Sequence, residues 1–243
     1  MRRIAAAIVA VACLAALSSA TASADQRDQV SSPNPELYGL DARPFGTDIA
    51  TWAERATQWI WGTPLDQSPL FDPTGANCAV NQQGPVWYIA RIAGPPVFSG
   101  TRTCTIPRHK AVFLYIGAVV DSFPCPDPNW HPAPGQSLYE FMLADAQAGM
   151  DLVDHLEISL DGRQMSDVFS YRYHSDDLFE LTGDSSLREV LDPCITGWGQ
   201  PAVLDGFFMV FKPLKKGRHV LRVHGTATPI GHDKTFTYFL TVE

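Results

Sequence analysis

The sequence predicts a mainly β domain, a β-sandwich or jelly-roll-like body with two short helices packed on it. Three patterns carry that expectation. Strict period-two alternation runs through the C-terminal half, in Leu156, Ile158 and Leu160 and again in Phe236, Tyr238, Leu240 and Val242. Helical spacing of apolar residues is confined to two early segments, and about eight short strand patterns are separated by Gly, Pro, Asp and Asn turns.

The chain of 243 residues begins with a pattern that is not part of that body. Arg2 and Arg3 precede an unbroken apolar run from Ile4 to Leu17, and Ala22-Ser23-Ala24 supplies a small-x-small cleavage pattern. Met1 to Ala24 therefore reads as a secretory signal peptide, which places the rest of the chain outside the cytoplasm or in the cell envelope. The run is too short to span a bilayer and no later run is longer, so no transmembrane segment is expected. Residues 25–46 are polar and proline-bearing and read as an exposed, poorly ordered leader to one β-rich domain at 47–243.

Ile49, Trp52, Ala53, Ala56, Trp59 and Ile60 form the first helical stripe, capped by Thr47 or Asp48 and ended by Gly62 and Pro64. Leu65 to Pro85 reads as loop. Val86 to Ala93 is a strand pattern broken by a single charge, Arg91. Thr101 to Ile106 and Ala111 to Ile116 follow as strands, joined by a turn at Pro107 to Lys110. Ser122 to Gly135 holds five prolines and reads as a long loop. Ser137-Leu138-Tyr139-Glu140 is a capping box that opens a second helix running to about Val153. Beyond the alternating segment at 156–160, Asp161-Gly162 signals a hairpin turn. Phe169, Tyr171 and Tyr173 alternate as a strand, Asp205-Gly206 reads as a turn into Phe207 to Phe211, and Val220 to Val223 and 236–242 complete the set.

Two blocks carry a resemblance. One runs through Gly84-Pro85-Val86-Trp87-Tyr88-Ile89-Ala90, Arg102 to Pro107 and Lys110 to Phe113; the other through Pro201 to Phe207 and Pro213 to His219. Together they resemble a group of uncharacterised secreted bacterial proteins in which a tryptophan-rich helix precedes a β-rich body. The resemblance implies secretion and one β-rich domain, and it brings no activity with it.

Cleavage after Ala24 removes Cys13 and leaves Cys78, Cys104, Cys125 and Cys194. An even number in an exported chain suggests two disulfides, and the sequence permits three pairings. Cys78 with Cys104 and Cys125 with Cys194 is the preferred one, because the first pair flanks a single predicted hairpin region. No Cys-x-x-Cys pair points to a metal, and no cofactor or metal is expected.

The formal charge of −8, more negative still once Arg2 and Arg3 are removed, argues against a nucleic-acid partner. The nucleophile elbow G-x-S-x-G, the zinc motif H-E-x-x-H and phosphate-binding glycine loops are all absent. Of seven histidines, His219 and His224 fall on opposite faces of one strand, which argues against a shared metal. His174 with Asp176 and Asp177 is the candidate acid/base cluster, and His232 with Asp233 is a second. Asp66, Asp72, Asp121 and Asp127 sit in or beside proline-rich loops where a calcium ion would find oxygen ligands, though local turn bonds explain such aspartates as well. Trp130 and Trp198 are loop tryptophans whose flat faces suit a glycan, against the plainer reading that they pin loops to the body. The basic run Lys212 to Arg222 reads as a solvated hairpin. These features favour a non-enzymatic extracellular binding or envelope-associated module, with a glycan or envelope component as partner. The alternative is a secreted hydrolase with a loop-borne acid/base pair.

Overall fold

A computed structural model describes residues 34–243, so the signal-peptide pattern and residues 25–33 lie outside the described residues. The elements in chain order are α1 (Ile49–Trp61), β1 (Val86–Ile89), β2 (Val97–Ile106), β3 (Ala111–Ser122), α2 (Leu138–Met150), β4 (His155–Leu160), β5 (Arg163–Gln164), β6 (Arg172–His174), β7 (Phe179–Thr182), β8 (Gly199–Phe211), β9 (Gly217–Ala227) and β10 (His232–Val242). They build two five-stranded mixed sheets packed face to face, as the alternating patterns require. Sheet A runs β1-β3-β8-β6, with β7 also paired to β8; sheet B runs β2-β10-β9-β4-β5.

Alternation decides which side chains meet. Leu114, Met209 and Phe211 of sheet A and Ile158, Leu221, Val223, Tyr238 and Leu240 of sheet B fill one core between the sheets. The intervening residues Phe113, Tyr115, Phe208 and Val210 point the other way, into a second core under α1. Asp48 caps α1 by accepting from the Thr51 N–H at 2.7 Å, and Trp52, Ala53, Ala56, Trp59 and Ile60 are its buried stripe. The Ser137–Glu140 capping box is formed at the start of α2, and Met142, Ala146 and Met150 are its buried residues. Val203 of β8 completes the small core beneath α2.

The disulfides are Cys78–Cys104 and Cys125–Cys194, with Cα–Cα distances of 5.8 and 4.3 Å. No helix among the described residues is long and apolar enough to cross a membrane.

Three local readings are corrected. The expected leader is part of the body over 34–46: Leu37 is fully buried, bridges to Phe211, and is flanked by bonds from Tyr38 N–H to Val210 and from Lys212 N–H to Glu36. Phe169 and Tyr171 do not lie in a strand. Asp167, at φ 52°, turns the chain into a short 3-10 segment, Val168–Tyr171, and only Arg172–His174 pairs with β8. Asp205-Gly206 is not a turn but the middle of β8, where Gly206 faces Ala118 of β3. A Cβ there would stand 2.5 Å from both the Ala118 Cβ and the Gly117 carbonyl, so glycine is required by close approach.

Candidate functional site

β3 and β8 are the longest strands of sheet A, and their inner face is shared between sheet B and α2. Where sheet B and α2 part, the structure leaves a cavity of about 270 Å³. Small residues open it. The register of β3 shifts between Tyr115 and Gly117, and a Cβ on Gly117 would meet nothing within 4 Å. Gly149 of α2 and Gly225 of β9 also line the space. Around them stand Ile116, Val119, Met150, Val153, Leu156, Phe207, Val223 and Phe236. A volume of this order lies just below the usual range for small-molecule sites, and an apolar wall with a few convergent polar groups is their usual composition.

The basic groups at its wall are Arg91, His232 and Lys234, with Thr226 as a further polar residue. Arg91 follows β1, is half-buried, and also lines a neighbouring cavity of about 170 Å³ with Tyr115 and Asp192. Its guanidinium forms no hydrogen bond or ion pair with any described residue, and the groups that favour its charge are the Tyr115 and Tyr238 phenols. Burial lowers its pKa accordingly. Lys234 is lowered by burial and by the Arg91 charge, and His232 by burial, Lys234 and Arg91 in that order. Lys234 Nζ reaches one backbone oxygen, Gly94 O, at 3.2 Å. The Arg91 charge thus disfavours protonation of both Lys234 and His232, and with no carboxylate lining the cavity an anion would stabilise the site.

Arg102 shows what a satisfied arginine looks like in the same body. It is 2% exposed, and its guanidinium donates to the backbone carbonyls of Asp72 and Ala90. Sequence inspection marks Arg91 solely as a charge that interrupts an apolar run; its lack of partners is a tertiary fact.

The sequence-derived candidates fall elsewhere. His174 and Asp176 both line an open groove of about 350 Å³ with Asp48 and Arg172. Both are exposed, no bond joins them among the described residues, and His174 Nδ1 lies 3.0 Å from the Ser175 carbonyl instead. Trp130 is half-buried, stacked on Phe123 at 6.2 Å and edge-on to Phe141 at 4.8 Å, so it pins the proline-rich loop to α2. Trp198 is 66% exposed, in the turn before β8. Trp52 and Trp59 donate their indole N–H groups to the Pro44 and Val80 carbonyls, which marks them as packing residues. Both Asp72 oxygens are occupied by Thr74, Gly75 and Asn77, and Asp127 caps Asn129, the local turn chemistry that competes with calcium binding. His232 lines the cavity while Asp233 bonds to His224, so those neighbours do not form a pair.

Two carboxyl groups are held well above their ordinary range. Asp121 rises to about 7 through burial and the nearby Asp145 and Asp192 charges, and its Oδ2 is buried without a partner. Glu54 rises to about 7 through burial, Asp48 and Asp176. Each keeps its proton in the folded state up to about pH 7 but loses it near pH 4 when unfolded, so stability falls as pH rises across that window. His219 acts in the same direction. Burial opposes its charge, but bonds to the Lys215 carbonyl and Asp161 outweigh that and raise its pKa, so its contribution is lost as pH rises above 6.5. His232, lowered, offsets part of this. The expected result is a melting temperature about 5 °C or more lower at pH 8 than at pH 5, measured by differential scanning calorimetry. Asp121→Asn flattens the profile; a flat profile in the wild type would contradict the assignment.

Comparison with known protein families finds no matching family, and comparison with curated proteins finds no match. Among solved structures, the chain aligns with one from the complex of PbICP-C with falcipain-2, at a TM-score of 0.24 and 9% identity, covering 66% of this chain and all of that one. A likeness of that size carries no argument about fold or function.

Proposed function

We propose that the protein is an exported, non-enzymatic binding module that takes a small anionic amphiphile into the cavity between sheet B and α2. The single observation that carries this reading is Arg91, an unpartnered cation at an apolar cavity. A carboxylate or similar anion would neutralise Arg91 and Lys234 beside His232, and a short hydrocarbon body would cover Val119, Met150, Leu156 and Phe236. Export is supported by the Met1–Ala24 pattern, by the resemblance to secreted bacterial proteins, and by two disulfides that a reducing cytosol disfavours. The hydrolase alternative has less support: its groove exists, but the bond between base and orienting carboxylate does not.

The test compares decanoate with decanol by isothermal titration calorimetry on the wild type and Arg91→Met. Decanoate is expected to bind the wild type at least about tenfold more tightly than decanol, a charge-assisted difference of roughly 1.4 kcal/mol or more. Arg91→Met should erase that preference without lowering the melting temperature, since it breaks no bond. Equal affinity for acid and alcohol, or a preference untouched by the substitution, would overturn the proposal.

A further inference from the structure

We infer that His155, Glu157 and His224 form a binding site for a zinc-class divalent ion on the outer face of sheet B, separate from the cavity. Alternation on β4 sends Leu156 and Ile158 into the core and leaves His155 and Glu157 outside. On β9 it buries Leu221 and Val223 and leaves His224 outside. The antiparallel register then sets Glu157 opposite His224, and His155 opposite Thr226, one step diagonally from His224. One ligand atom from each of the three residues lies within 4.8 Å of the others. The imidazole rings are 5.1 Å apart, and His155 Nε2 lies 3.6 Å from Glu157 Oε1. Rigid strands thus hold two nitrogens and a carboxylate at a spacing that a metal ion closes by small side-chain adjustments.

The surroundings supply what such ligands need. His224 Nε2 lies 3.0 Å from Asp233 Oδ1 on the neighbouring strand β10. A His224 that donates Nε2–H to this carboxylate has its ring oriented by it and leaves Nδ1 as the ligand atom, the usual arrangement behind a metal-bound histidine. Two histidines and one glutamate match the donor set of open zinc sites, with the fourth position left to water or an incoming ligand. Soft-metal chemistry is not served here, because the four cysteines among the described residues are all in disulfides. His219, on the opposite face and bonded to Asp161, takes no part.

The experiment uses untagged protein stripped with chelator and titrated with zinc chloride by calorimetry, with cobalt(II) as a spectroscopic substitute. One equivalent of zinc is expected to bind, and cobalt should give the intense visible bands of a four-coordinate site. His155→Ala and His224→Ala should each abolish both signals, while Asp233→Asn should weaken zinc binding by about 10–100-fold. These side chains are on the surface, so circular dichroism and melting should stay as in the wild type. No zinc binding up to the millimolar range, or binding that survives His155→Ala and His224→Ala together, would overturn the site.

Discussion

Replacing Arg172 with methionine lowers the free energy of unfolding by about 3–5 kcal/mol, the cost of leaving a buried charge without its partner. Arg172 donates Nε and Nη2 to the two Asp205 oxygens at 2.8 and 2.9 Å. The Asp205 side chain is 2% exposed in the middle of β8, so no water replaces the lost bonds. The same guanidinium donates to Asp151 at 2.6 Å and to the Gln147 carbonyl at 3.0 Å, joining β6 and β8 to the last turn of α2. Methionine keeps the apolar stem and removes every one of these donors. Urea unfolding followed by circular dichroism measures the loss. Combining Arg172→Met with Asp205→Asn should recover part of it, since the second change removes the stranded charge. A loss below about 1 kcal/mol in the single variant would show that the pair is no stronger than an exposed ion pair.

Removing the Cys125–Cys194 disulfide by a double substitution to serine lowers stability by about 4 kcal/mol, the chain-entropy estimate for a loop of this length. The two cysteines are 69 residues apart, against 26 for Cys78 and Cys104, so the longer loop restricts the unfolded chain more. In the folded state Gln200 partly holds the same junction, donating to both the Pro124 and Cys194 carbonyls. The double variant is therefore expected to fold and to melt at lower temperature, read by calorimetry against the wild type. A smaller effect than that of removing Cys78–Cys104 would show that strain, rather than loop length, sets the balance.

What was legible in the sequence is what short-range physics decides. The capping box at Ser137 and Glu140, the stripe from Ile49 to Ile60, and the alternation at 156–160 and 236–242 each specify an element within one window. The disulfide pairing followed from a predicted hairpin region and is the one found, although β2 pairs with β10 instead of closing that hairpin. Asp205-Gly206 misled because the dipeptide has turn chemistry, whereas here a salt bridge and a tight interstrand approach claim the two residues. β5 and β7, of two and four residues, carry too little pattern to stand out. The cavity and the histidine cluster were hidden for another reason. An unpartnered Arg91 is defined by what is not near it, and His155 and His224 meet solely through the register of β4 on β9.

The pairing of β2 with β10 also fixes an order of events during synthesis. β10 is hydrogen-bonded along both edges, parallel to β2 and antiparallel to β9, yet it is the last of the ten strands in chain order. β2 therefore waits, without its sheet partner, until more than a hundred further residues have emerged. Such long-range parallel pairing makes folding slow and keeps the unfinished chain open. Until the final strand arrives, sheet B is limited to the antiparallel β9-β4-β5 unit, and β10 then closes both its own pairing with β9 and the parallel edge with β2 in one step.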